Sequence, residues 1–393
     1  MKAGFIYSDR LLSYDFGPQH PLRPLRLRLL YELIDALGLL EAPGVERIEP
    51  RPATAAELTA VHDPAYVEAV ELLSSGADPF GRQRLIQRFG FASPDNPVFA
   101  GMHEAAALAA GGAVMAAEHI LAGQVQRAFH PGGGLHHAMP ARAAGFCIYN
   151  DPACAIARFR AAGWRVLYID GDAHHGDGVE AIFIEDPGVL TISLHEDGRF
   201  LFPGTGFVDD IGRGAGRGYA VNVPLLPRTG DDSWIEAFHR VVPPLARAFR
   251  PDVVVSQHGC DAHVWDPLTH LHTTTRALEA FARAVDALSR ELCGGRWLAL
   301  GGGGYDVWRV VPRAWTLVWA AVSSQEVPEE VPAGWLERWQ GKAPARLPRS
   351  LRDRPDDGAD PGAEDPEVAA VNGETARRAV AGCLPIVAAG LLG

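Results

Sequence analysis

Histidine, aspartate and glycine crowd four short stretches of this chain, at positions 132–137, 170–177, 258–263 and 301–306. In Asp170-Gly-Asp172-Ala-His174-His175-Gly-Asp177, residues 170, 172 and 174 point to one side if the extended backbone of the preceding apolar run persists. Asp172 and His174 then stand side by side, and Asp261, beyond another apolar run, is the third ligand of a metal site. Two carboxylates and one imidazole leave a coordination position open to water and substrate, as a catalytic zinc requires. The same donors also suit iron(II). A two-metal cage of the arginase type would need a carboxylate two residues beyond His174, where Gly176 stands. His263 could in principle serve a second ion, but without that carboxylate the cage is incomplete and one transition metal is expected.

His136 and His137 follow the Gly132-Gly133-Gly134 turn, whose missing side chains let the backbone pass close to a ligand. Each needs a partner to fix its tautomer, and Asp170 and Asp177 are the available carboxylates. A histidine so held is a stronger base, able to take a proton from the attacking water and return it to a leaving amine. Tyr305, after four glycines, offers a phenolic donor for a developing oxyanion. Together these residues predict metal-assisted amide hydrolysis.

These stretches need a scaffold that brings them together. Short β-branched apolar runs at 4–7, 124–129, 165–169, 189–194, 252–256 and 297–300 predict buried parallel strands. Helical spacing occupies 101–121, 151–161, 231–249 and 275–292 between them. The alternation implies an α/β fold with a central, mostly parallel sheet flanked by helices on both faces. Four of the runs lead directly into the polar segments, and ligands of parallel sheets sit beyond the carboxyl ends of the strands. The segments should therefore converge. Residues 1–325 are read as one catalytic domain and 326–393 as a C-terminal extension. In it, the Pro/Asp-rich text at 343–366 predicts an exposed connector, and 367–393 a docked helix.

The chain has 393 residues, with 48 Asp+Glu against 36 Lys+Arg and a net charge of −12. That balance argues against a nucleic-acid partner and fits a cationic substrate better. Lysine occurs only at Lys2 and Lys342. Five cysteines without a CxxC pair argue against a disulfide framework and for a reducing compartment. With no apolar leader and no run of 18 apolar residues, a cytoplasmic protein without a membrane partner is expected. Oligomeric state is not legible.

HPGGGLHHA, GFCIYNDPA, YIDGDAHHGDGVE, TISLHEDGRFLFPGTG, VNVPL and GGGGYD resemble the zinc-dependent histone deacetylase family. HPLRPLRL, the DNPVFAGMHEA run and DAHVWDPLTHL look most like its bacterial acetoin-utilization branch. The similarity runs from about residue 7 to about 319. It implies the arginase/deacetylase fold and hydrolysis of N6-acetyl-lysine in proteins or peptides to lysine and acetate, without NAD. Zinc falls on Asp172, His174 and Asp261, as the spacing alone suggests. His137 with Asp177 becomes the general base and then acid, His136 with Asp170 an electrostatic partner, and Tyr305 the carbonyl-polarising donor. Phe146 and Phe202 match aromatic walls around the lysine stem, and Gly145, Leu268 and Gly303 further substrate contacts. Asp95 matches a rim carboxylate for substrate amides, and Arg26 an arginine near an acetate exit. A structural potassium or sodium ion is implied at Asp170, Asp172, His174, Ser193 and Leu194, with a second near Phe183, Val189 and Tyr219. The branch suggests acetyl-CoA synthetase as a partner.

Two departures stand out: the rim text Ser93-Pro94-Asp95-Asn96-Pro97 differs from the eukaryotic pattern, and Cys260 replaces a usual alanine. The cysteine is read as neutral packing, with oxidant sensitivity as the other reading. His270 and His272 are read as loop or supporting groups. A small-molecule amidohydrolase acting on acetylated polyamines is the rival enzyme. A non-catalytic acetyl-lysine sensor is the rival of a different class, and the presence of every proposed ligand, base and donor weighs against it.

Overall fold

The apolar runs pair into one parallel sheet in the computed structural model, which describes residues 2–76, 81–354, 358–359 and 362–390. Its eight strands among these residues are β1 (Ala3–Ile6), β2 (Val45–Ile48), β3 (Arg127–His130), β4 (Val166–Asp170), β5 (Val189–Glu196), β6 (Ala220–Leu225), β7 (Val253–Gln257) and β8 (Trp297–Leu300). The order is β2-β1-β3-β8-β7-β4-β5-β6, and every pairing is parallel. Successive side chains of a strand serve opposite faces. Phe129, Leu167, Ile169, Val254 and Trp297 therefore pack into one layer, and Ala128, Val166, Tyr168, Val255 and Leu298 into the other. Helices Asp231–Phe249 and Thr275–Cys293 cover the first layer, and Met102–Leu121 and Asp151–Ala161 the second.

The helices follow from their ends as well as their faces. Thr275–Cys293 starts where the Thr274 side chain accepts the Arg276 amide, and stops at Gly294, whose φ of 62° few other residues adopt readily. Leu278, Phe281, Ala282, Val285 and Leu288 form its buried stripe. Met102–Leu121 is long and apolar enough to cross a membrane by length and composition, but most of it is buried inside the fold.

All six predicted strands are present, with ends shifted by a few residues. The two edge strands, β2 and β6, were not predicted. The first is half exposed, and the second carries Asn222 and Pro224, which a sheet tolerates at an edge. A helix at Pro366–Ala389 lies against β6 and helix Asp231–Phe249, so that edge is covered. Asn372 fastens it: its Oδ1 accepts the Leu226 amide at 3.0 Å, and its Nδ2 donates to Thr229 and Ser233 hydroxyls.

The 343–366 stretch corrects the expectation of an exposed connector. Leu347 and Leu351 are buried with Trp335 and Trp339 beneath helix Leu25–Ala36, and Ser350 and Asp353 make inward hydrogen bonds. Residues 355–357 and 360–361 of that stretch, and the last three residues of the 367–393 expectation, lie outside the described residues.

Candidate active site

The four chemistry-bearing segments leave β3, β8, β7 and β4, which are consecutive neighbours in the sheet. Adjacency of those strands is what makes the segments meet. Beyond β4, Asp172, His174 and Asp261 bring their ligand atoms within 4.8 Å of one another, all buried. His174 Nδ1 lies 3.1 Å from Asp172 Oδ1 and 2.9 Å from Asp261 Oδ2. Two buried carboxylates facing one imidazole form a cage that a divalent cation neutralises, and two oxygens with one nitrogen fit zinc or iron(II). Neighbours fix the cage. Gln257 Nε2 and the Gly303 amide each donate to Asp172 Oδ2 at 2.7 Å, and the Ala173 amide donates to Asp261 Oδ1 at 2.9 Å. A Cβ on Gly303 would lie 2.0 Å from Asp261 Oδ2, so only glycine fits there.

His136 and His137 enter from β3. Asp151 accepts the Gly134 and Leu135 amides at 2.9 and 2.8 Å, and Asn150 Nδ2 donates to the carbonyls of His136 and Ala138. His136 Nδ1 meets Asp170 Oδ2 at 2.8 Å, and His137 Nδ1 meets Asp177 Oδ1 at 2.7 Å, the division of partners expected from sequence. Burial opposes a charge on His136, but Asp170 and Asp172 outweigh it and raise its pKa to about 9. Burial and the neighbouring His136 push His137 down to about 4. A Cβ on Gly176 would sit 2.3 Å from Asp170 Oδ2, which leaves no room for the second carboxylate of a two-metal cage. His263 is buried and pairs with Asp353, away from the cage.

Tyr305 stands beside the cage, its ring edge-on to Phe146 at 5.7 Å and to His174 at 6.4 Å. Its amide donates to Asp266 Oδ2 at 2.8 Å. Burial, then the charges of Asp261 and Asp172, raise its pKa, so the phenol keeps the proton it needs to donate. Phe146, at φ 68°, holds a left-handed conformation uncommon for a side-chain-bearing residue. Phe202 is 44% exposed and packs edge-on to His137 at 5.0 Å. Gly145 lies between them; a Cβ there would be 2.4 Å from His137 and 2.9 Å from Phe202.

A narrow cavity runs from Phe146 and Tyr305 past His136 and His137 to Asp172 and Gly303. Leu22 and Leu135 line both it and an inner cavity that reaches Arg26. Arg26 donates to the carbonyls of Gly302 and Gly304 at 2.8 and 3.2 Å and lies over the Trp315 ring. A rim cavity of about 230 Å³ adjoins Phe202 and Gly145 and contains Asp95, whose Oδ2 accepts the Ser93 hydroxyl. Leu268 is half-buried and lines none of these cavities. Ser193 and Leu194 are buried on β5, with Ser193 opposite Asp170 and its hydroxyl 2.8 Å from His195 Nδ1.

Cys260 is buried against Gly303 and Gly304, and burial raises its pKa, which disfavours the reactive thiolate. His175 bonds to Thr205 and Glu180, and His270 to Glu196, each outside the cage. Sequence reasoning missed Gln257, Asp266, Asp151 and Asp353. Gln257 carried a signal, as a polar residue closing the strand that the apolar run Val253–Val255 opens.

Carboxylates and an imidazole at the carboxyl edge of a parallel sheet, backed by two His–Asp pairs, mark a hydrolase, and residues 20–322 match the histone deacetylase domain. The chain belongs to the histone deacetylase family and is a deacetylase. It is 44% identical over 377 residues to acetoin utilization protein AcuC of Bacillus subtilis (strain 168), covering 96% of each chain. AcuC of Staphylococcus aureus (strain Mu50 / ATCC 700699) is 41% identical over 359 residues, 91% of each chain. The solved structure of an HDAC homolog complexed with SAHA superposes with a TM-score of 0.81 at 32% identity, over 96% of this chain and 100% of that one.

Proposed function

We propose that this protein removes the acetyl group from N6-acetyl-lysine in proteins or peptides, releasing lysine and acetate by a metal-dependent, NAD-independent hydrolysis. The observation that carries the reading is that His136, His137, Tyr305 and Asp172 line one narrow cavity, with Asp170 and Asp177 bonded behind the two histidines and the ligand atoms of His174 and Asp261 within 4.8 Å of that of Asp172. Phe146 lines this cavity and Phe202 the rim cavity beside it, and burying substrate methylenes against them would contribute roughly 0.8 kcal/mol per CH₂.

Asp172, His174 and Asp261 would hold zinc, which supplies Lewis-acid activation of the water and the carbonyl; iron(II) is the other metal the donors accept. His137, held by Asp177, takes the proton of the attacking water and later delivers it to the leaving Nζ amine. His136, charged beside Asp170, balances the negative charge that develops. Tyr305 donates its hydrogen to the acetyl oxygen. Asp95 at the rim holds substrate backbone amides, with Gly145 and Gly303 shaping the path, and acetate leaves past Arg26. Backbone oxygens of Asp170, Asp172, His174 and Leu194 with the Ser193 hydroxyl would hold a structural potassium or sodium ion.

Residues 1–325 form the catalytic domain and 326–393 an extension. Five buried free cysteines support a reducing, cytoplasmic setting, and acetylated acetyl-CoA synthetase is the protein substrate that the family resemblance suggests. The test is release of acetate from acetylated synthetase and from an acetyl-lysine peptide, beside an acetylpolyamine. Turnover of only the polyamine overturns the reading.

A further inference from the structure

The loop from Cys260 to Leu268 carries Asp261 and is tied down at its middle by a residue outside the matched domain. His263 is fully buried, its Nε2 donates to Asp353 Oδ2 at 2.8 Å, and its Nδ1 accepts the Trp265 amide at 3.1 Å. Both ring nitrogens are thus committed, which fixes the ring's tautomer and orientation. Asp353 is itself held. Its Oδ2 also accepts the Thr275 amide, its Oδ1 accepts Arg313 Nη2 at 2.8 Å, and its own amide donates to the Thr275 hydroxyl. Arg313 is 1% exposed and spends Nη1 on the carbonyls of Ser350 and Leu351.

From His263 the ties run in two directions. Two residues upstream lies Asp261. Downstream, the Asp266 amide donates to the His263 carbonyl at 2.7 Å, and the Asp266 carboxylate accepts the amides of Leu268 and Tyr305. One anchor thereby serves both sides of the cavity.

We propose that Asp353 is a positioning residue for the deacetylase site, holding through the His263 ring the loop that places Asp261 on one side and, through Asp266, Tyr305 on the other. Its removal leaves a buried imidazole N–H and a buried guanidinium without their acceptor, and the loop shifts to find others. A displacement of about 1 Å at reacting groups costs roughly a hundredfold in rate. Supporting groups of metal ligands typically cost about 10- to 100-fold in metal affinity when removed. The extension is then part of the active site's framework.

The proposal rests on the metal reading of the triad, and the full-length chain tests both. Zinc affinity is measured by competition with a chromophoric chelator, without turnover, and kcat and KM on a fluorogenic acetyl-lysine peptide at saturating zinc. Asp353→Ala is expected to lose about 10- to 100-fold in zinc affinity and a comparable factor in kcat, with KM within about twofold. Asp353→Asn turns an amide towards Arg313 and should show a smaller loss in the same direction. Asn372→Ala, which loosens the terminal helix, should lower thermal stability while leaving zinc affinity and kcat as in the parent. A folded Asp353→Ala protein with parental zinc affinity and kcat overturns the proposal; if that variant fails to fold, the same result for Asp353→Asn overturns it. A parent chain that binds no zinc overturns the metal reading, and the proposal with it.

Discussion

The Nε2 atoms of His136 and His137 lie 3.0 Å apart, while their Nδ1 atoms face different carboxylates. At that separation only one Nε2 carries a hydrogen at a time, so protonating either ring opposes protonating the other. The raised pKa of His136 and the lowered one of His137 express this division. His137→Ala should lower kcat by roughly 10²- to 10⁴-fold while metal content stays at the parental level. Metal loss in that variant would mean that His137 acts on the cage and not on the proton.

Tyr305→Phe removes one hydroxyl and leaves the Asp266 tie, which uses the backbone amide, intact. A drop in kcat of about 10²- to 10³-fold is expected for a lost oxyanion donor, with KM and zinc affinity unchanged. Parental kcat would remove Tyr305 from the chemistry.

Two glycines make steric predictions. Gly303→Ala puts a methyl 2.0 Å from Asp261 Oδ2 and 2.9 Å from Asp172 Oδ2, so it should abolish metal binding and turnover together. Gly145→Ala crowds His137 and Phe202 instead, and should reduce kcat/KM with metal retained. Metal analysis beside kinetics separates them.

Three histidines away from the cage govern acid stability. Burial pushes His62 and His130 to about 4 and His258 to about 3. The unfolded chain binds these protons near pH 6.5 and the folded one does not, so stability is full above about 6.5 and falls as pH drops towards 4. Each group contributes up to about 3 kcal/mol across that window. Urea midpoints of metal-free protein should be clearly lower at pH 5 than at pH 7. An unchanged midpoint at pH 5 would contradict the buried neutral state.

The central strands were legible because β3, β4, β7 and β8 carry short, mostly apolar runs that lead directly into polar or glycine-rich segments. Their convergence followed from parallel-sheet geometry alone. The edges β2 and β6 were hidden because exposure or proline dilutes their pattern, and the free edge of β6 is covered by the distant helix Pro366–Ala389. The same distinction divides the site. Asp172, His174 and the His136–His137 pair declare themselves by local clustering. Gln257, Asp266 and Asp353 act across 85, 39 and 90 residues of chain, on Asp172, Tyr305 and His263, and no local pattern encodes such contacts. Asp353 was read as part of an exposed connector for that reason.

Acetate release from an acetyl-lysine peptide by the protein as purified, after chelation, and after zinc or iron(II) is restored is the decisive measurement of metal-dependent deacetylation. Turnover is expected without NAD, abolished by chelation, restored by one of these metals, and absent in Asp172→Ala. Turnover that survives complete metal removal, or that persists in Asp172→Ala, would contradict metal dependence.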